Sequence, residues 1–278
     1  MREGYSAWRE RKLAAYPERL EDLIVEVRDP RQLSAAEHGA ILERIARANF
    51  AVYASAAAGD ADKALVRSLG TQFGLERLDP NFLADEDGIS SITVREDPVR
   101  GEYIPYTDRA LGWHTDGYYN PPGREIRAFV LHCVRPAAEG GETSLLDHEI
   151  AWLLLQDANP AWARALMAAQ AMTIPARDAT RAAQTGPVFS FDAGGALHMR
   201  YTARTVSIRW AADADTTAAV DFLARLLGEH PPYSFRLKLR PGMGVICNNV
   251  LHARSAFRDD AAAPRLLYRA RYYDRIRV

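Results

Sequence analysis

Trp113-His114-Thr115-Asp116 sets an imidazole and a carboxylate two residues apart. In an extended segment, residues i and i+2 project to one face, so both side chains can reach a single ion. Two histidines and one carboxylate on one octahedral face leave three positions open, the arrangement that suits non-haem ferrous chemistry. The third ligand must come from elsewhere. An H-x-D pair alone also arises as a surface histidine beside a solvated aspartate. Among the seven histidines, His252 is the best candidate. It closes an apolar run from Gly244 to Leu251, as a ligand at a barrel mouth would, although such a histidine also occurs in ordinary cores.

The last apolar segment, Arg265-Leu266-Leu267-Tyr268-Arg269-Ala270-Arg271-Tyr272-Tyr273, reads as a strand. Positions 265, 267, 269 and 271 share one face, and Arg265 and Arg269 lie about 13 Å apart along it. A solvated edge would explain such a face. If it lines a barrel interior, each buried guanidinium needs an anion. A dicarboxylate cosubstrate would supply one, because the arginine fork binds two oxygens at once.

Elements able to position these residues follow along the chain. Ser34 to Glu37 forms a capping box for a helix to about Ala48. Phe50 to Tyr53 reads as a strand and Asp60 to Phe73 as a helix stopped by Gly74. Ile89 to Val94 and Ile126 to Val134 are strands. Asp147 caps a helical region from Glu149 to about Met172, broken near Pro160. Val188 to Tyr201 is a hairpin, Asp215 to Gly228 a helix, and Ser234 to Leu239, Gly244 to Val250 and Leu266 to Tyr273 are strands. Strands do not alternate regularly with helices, and no G-x-G-x-x-G occurs, which argues against a dinucleotide-binding sheet. The expected class is α+β, mainly β: a double-stranded β-helix (jelly-roll) core with flanking helices. Residues 1–278 are expected to form one domain, with a helical N-terminal part, about 1–85, packed on the core.

Four pieces recur in order: Trp113-His114-Thr115-Asp116, Pro121-Pro122, Gly140-Gly141-Glu142-Thr143, and His252 followed by Arg265 and Arg269. Together they resemble the TauD/TfdA family, the taurine-dioxygenase-like Fe(II)/2-oxoglutarate oxygenases. The resemblance is firm from Trp113 to Ser144 and from Gly242 to Tyr273. It implies His114, Asp116 and His252 as iron ligands. It implies Thr143 and Arg265 as contacts to 2-oxoglutarate, and Arg269 as the arginine that meets the substrate's anionic group. Tyr118, Tyr201 and Arg204 are further candidate substrate contacts. Ala110 stands where the taurine enzyme carries a substrate-binding asparagine, and Asn248-Asn249 replaces the usual Asp-Asn-Arg run. Taurine is therefore not the expected substrate. The implied reaction consumes O₂ and 2-oxoglutarate, releases succinate and CO₂, and hydroxylates an unactivated C–H; desaturation or ring closure stays open. Asp116 argues against halogenation, because related halogenases lack that carboxylate. A metal-dependent hydrolase, which would leave Arg265 without a purpose, and a catalytically silent binding or sensor protein are the alternatives.

The 278 residues are 48% hydrophobic and 26% charged, with net charge −1. That describes a globular chain without the basic surface that nucleic acid requires. Met1 to Glu21 is too charged for a signal peptide, and no apolar run approaches the ~18 residues needed for a membrane span. The cytoplasm is the expected location, and Cys133 and Cys247 are expected as buried thiols in strands. The expected partners are a small-molecule substrate and, from the prevalence of two-fold assemblies, a second copy of the chain.

Overall fold

A computed structural model describes residues 4–278 except 57–58, 81–82, 96, 98–99, 178–180, 205, 207 and 229–230. Six helices occur among the described residues: α1 Tyr5–Ala15, α2 Ala35–Ala48, α3 Ala64–Gln72, α4 His148–Ala158, α5 Pro160–Leu166 and α6 Ala214–Leu226. The strands that build the site are β1 Ile24–Val27, β2 Phe50–Ser55, β3 Ser90–Ile92, β4 Leu111–His114 and β5 Ala128–Arg135. They continue with β6 Thr143–Leu146, β7 Phe235–Leu237, β8 Met243–Cys247, β9 Leu251–Arg254 and β10 Leu266–Tyr272.

One sheet has the order β1-β2-β8-β5-β10-β3, and a second has the order β7-β6-β9-β4. Only the β1–β2 pair is parallel in these two sheets. Period-2 alternation divides the first sheet's side chains between two cores. Tyr53, Val130, Ile246 and Ala270 face Ile41, Ile45, Leu65 and Leu69 of α2 and α3. Phe129, Val245, Cys247 and Leu267 face the second sheet's Leu145, Leu237 and Leu251, with α4 to α6 closing that core. Each fully buried Leu, Ile or Phe contributes about 1.5–3 kcal/mol. The metal-motif strand and the arginine strand thus lie in different sheets that share one interior.

Local signals set several boundaries. The Ser34 hydroxyl accepts from Glu37 N–H at 3.2 Å, and the Glu37 carboxylate accepts from Ser34 N–H at 2.6 Å, completing the box that starts α2. α3 begins later than the periodicity predicts, because the Asp62 carboxylate accepts from Ala64 N–H and starts the helix there. The long helical stretch splits at Asn159, which takes extended φ/ψ and caps α5. α5 ends at Leu166, and Met172 begins a strand instead, because Met172–Ile174 pairs with Gln184–Gly186 and with Arg209–Trp210. The charged N-terminal stretch forms α1, within the part expected to be helical, and buries Trp8 and Lys12. Residues before 85 are not only helical, since β1 and β2 extend the first sheet. Cys133 and Cys247 are buried free thiols in β5 and β8.

The most consequential departure concerns His252. The sequence reads as one strand running up to it, but β8 stops at Cys247. Asn248 then trades hydrogen bonds with Ile276, whose N–H donates to Oδ1 at 2.9 Å and whose carbonyl accepts from Nδ2 at 3.2 Å. Asn249 takes a left-handed φ of 52°, which asparagine tolerates better than most residues. The chain crosses to the second sheet, and His252 sits on β9 rather than at the end of β8.

Candidate metal and cosubstrate site

His114 ends β4 and His252 lies directly opposite it on β9. Cross-strand partners share a face, and their ring centroids are 4.1 Å apart. Asp116 follows β4 by two residues. One ligand atom from each of His114, Asp116 and His252 lies within 4.8 Å of the others.

Each ring has its orientation set by its own strand. His114 Nδ1 lies 2.9 Å from the Gly112 carbonyl and His252 Nδ1 3.0 Å from the Val250 carbonyl. With the proton on Nδ1 donated to backbone, Nε2 keeps its lone pair for a metal. Burial and the neighbouring His252 push the His114 pKa down to about 3. Burial likewise lowers His252. Burial acts to raise the Asp116 carboxyl, but the guanidiniums of Arg269 and Arg271 outweigh it and hold it well below the usual carboxylate range. Two neutral imidazoles and one ionised carboxylate are a donor set for a divalent cation. Asp116 Oδ2 is buried without a hydrogen-bond partner, so an atom for that cation stands ready.

Asp116 is held from behind. Asn249 Oδ1 accepts from Asp116 N–H at 2.8 Å, while Asn249 Nδ2 donates to the carbonyls of Asp116 and Ile126 at 3.0 and 2.6 Å. Asn249 therefore clamps the metal-motif backbone.

Beside His252 opens a small cavity of about 50 Å³ whose lining includes Phe129, Leu131, Thr143, Arg265 and Arg269. Thr143 reaches it because Gly140 and Gly141 turn at φ 66° and 70°; a Cβ on Gly140 would lie 2.2 Å from the Ala256 carbonyl oxygen. Arg265 is 5% exposed, rests 5.1 Å from the Phe257 ring, and has Nη1 buried without a partner. Burial lowers its pKa to about 10. Arg254, on the same ring at 4.8 Å, spends its Nη atoms on the carbonyls of Ile104, Pro105, Thr107 and Arg109.

Arg269 lines the cavity as its strand face requires, but its Nη1 donates to Asp116 Oδ1 at 3.0 Å. Arg271, on the same face and not singled out from sequence, lies 3.9 Å from that oxygen. It is anchored by Asp79 at 2.5 Å and donates to the Tyr119 hydroxyl at 2.9 Å. The period-2 arginine row could have flagged Arg271; nothing local could have flagged Asp79. Arg204 donates to the Tyr118 hydroxyl at 3.0 Å. Tyr201 is buried among core side chains, with Trp210 6.4 Å away, and its backbone pairs with Thr115. Its ring is a packing element.

The family model described as taurine catabolism dioxygenase TauD, TfdA family, matches residues 15–271. A uridine-5'-phosphate dioxygenase from Amycolatopsis sp is 31% identical over 277 residues, spanning 91% of this chain and 97% of that one. A second, from Streptomyces sp, is 31% identical over 215 residues, spanning 74% and 77%. Among solved structures, asparagine oxygenase in complex with Fe(II), 2S,3S-3-hydroxyasparagine and succinate superposes with a TM-score of 0.59 at 14% identity, covering 87% of this chain and 85% of that one. The chain belongs to the TauD/TfdA family and is an Fe(II)- and 2-oxoglutarate-dependent dioxygenase. No helix among the described residues is long and apolar enough to cross a membrane.

Proposed function

We propose that His114, Asp116 and His252 hold Fe(II), that Thr143 and Arg265 hold 2-oxoglutarate, and that the enzyme hydroxylates a C–H bond of a small anionic substrate of the nucleoside 5'-phosphate class. The observation that carries this reading is the junction of the two half-sites. Three metal-type donor atoms meet within 4.8 Å, and His252 also lines the cavity bearing Thr143 and Arg265. The 31% identity to two uridine-5'-phosphate dioxygenases supports the substrate class. The interior shared by the two sheets supports a double-stranded β-helix formed by 1–278 as one domain.

Bound Fe(II) with 2-oxoglutarate supplies the means to cleave an unactivated C–H with O₂, yielding succinate and CO₂. The chain supplies the positions. Nε2 of both histidines and Oδ2 of Asp116 would hold the metal, while Arg269 donates to Oδ1 and Arg271 stands 3.9 Å from it. Arg265 Nη1, otherwise unpartnered, would meet the distal carboxylate of the cosubstrate, and the Thr143 hydroxyl would donate to a carboxylate oxygen. Phe129 and Leu131 keep the cosubstrate's chain dry. Arg269, Arg204 and Tyr118 border the substrate side.

Anaerobic titration with Fe(II) and 2-oxoglutarate tests the reading. A weak metal-to-ligand band in visible light is expected. Arg265→Ala is expected to weaken 2-oxoglutarate about 10- to 100-fold, because a buried charge-assisted pair is lost. Unchanged affinity in that variant would remove Arg265 from the cosubstrate site.

A further inference from the structure

We propose that Arg204 and Arg181 clamp the phosphate group of a phosphomonoester substrate above Tyr118 and Tyr119 at the mouth of the site. This rests on the oxygenase reading above and assigns the group by which the substrate is held.

The register of the backbone puts Arg204 there. His114 bridges Thr202, and Ala203 N–H donates to the Trp113 carbonyl at 2.8 Å, so residues 202–204 run antiparallel to β4. Thr202 therefore shares the face of His114, and Arg204, two residues on, shares it too. Arg204 is exposed, and its fork donates to the Tyr118 hydroxyl. The Arg181 guanidinium lies 5.4 Å from the Tyr119 ring centroid, Nη2 donates to the Pro175 carbonyl at 3.4 Å, and Nε is buried without a partner. Neither arginine pairs with a carboxylate among the described residues.

The two rings join the cations to the candidate metal ligand Asp116. Tyr118 and Tyr119 meet edge to face at 5.1 Å. The Tyr119 hydroxyl accepts from Arg271 Nη1, which is itself 3.9 Å from Asp116.

Elimination supports the choice of these cations. Arg269, the arginine expected to take the substrate's anion, spends Nη1 on Asp116, and Arg265 belongs to the cosubstrate cavity. Arg204 and Arg181 are the cations that touch Tyr118 and Tyr119 and pair with no carboxylate among the described residues. Two forked cations suit a dianion with three terminal oxygens; a carboxylate would leave one fork unmatched.

The test is calorimetric titration of the Mn(II)- and 2-oxoglutarate-loaded protein with uridine 5'-monophosphate and with uridine. Uridine 5'-monophosphate should bind at least about tenfold more tightly than uridine. Arg204→Ala and Arg181→Ala should each weaken the nucleotide about tenfold while leaving uridine affinity as in the wild type. Arg204→Lys, which keeps charge but loses the fork, should fall between. Equal wild-type affinity for both ligands, binding of neither, or variants that weaken both ligands equally would overturn the clamp. Absence of the visible Fe(II)–2-oxoglutarate band in the wild type would instead overturn the metal and cosubstrate assignment, a separate failure read before nucleotide is added.

Discussion

Among the described residues, two clusters of buried charge are built differently. In one, Lys12 of α1 reaches Asp147 at 2.6 Å and Glu149 at 2.8 Å at the start of α4. Asp147 Oδ1 also accepts from Glu149 N–H and from Asn49 Nδ2, so the charges are met from within the chain. In the other, Arg269 and Arg271 meet Asp116, Arg271 also meets Asp79, and Arg254 and Arg265 lie buried farther along the same pocket, with Asp116 Oδ2 and Arg265 Nη1 left without a hydrogen-bond partner. Burying an unpaired charge costs several kcal/mol, so an unfinished cluster persists where a ligand completes it. The first cluster, whose carboxylates each face Lys12 within 2.8 Å, staples a helix to the core. The second is where we place the metal and the cosubstrate.

Acid should disturb both clusters, with the largest effect. Burial lowers the pKa of His114, His132, His148, His198 and His252. A depressed folded value means the unfolded chain takes up protons first, so stability is full above about pH 6.5 and falls as pH drops toward the folded values. Those are about 3 for His114 and about 4 for His132. At pH 5 these two alone remove on the order of 4 kcal/mol. Urea midpoints of metal-free protein between pH 7 and 5 measure this; a flat profile would contradict neutral buried rings.

Lys12→Met sharpens the contrast. It strands two carboxylates and should cost about 3–5 kcal/mol of unfolding free energy, yet leave the rise in Tm produced by Mn(II) with 2-oxoglutarate intact. A lost ligand-induced rise would mean the two clusters are coupled. Asn249→Ala should do the reverse. Metal affinity should fall about 10- to 100-fold, with a smaller loss of stability, because Asp116 loses its clamp. Asn249→Gly, which accepts the left-handed φ freely, should show the same loss of metal affinity; normal affinity there would assign the effect to backbone strain.

What sequence alone determined is what depends on short separations. The H-x-D spacing puts His114 and Asp116 on one face, the Ser34–Glu37 capping box starts α2, and the Gly140-Gly141 turn precedes Thr143. The alternation from Arg265 to Arg271 forms a single row that reaches the cavity and Asp116. These features follow from backbone periodicity and local hydrogen bonds, which neighbouring residues control. The tertiary structure alone decided which partner each buried group met. The break after Cys247 depends on Asn248 bonding Ile276, 28 residues away, and it moves His252 to the second sheet opposite His114. Arg269 donates to Asp116, Tyr201 packs into the core, and Asp79 anchors Arg271 across 192 residues. A buried charge or amide takes whichever complementary group the packing brings within about 3 Å, and no local pattern records that choice.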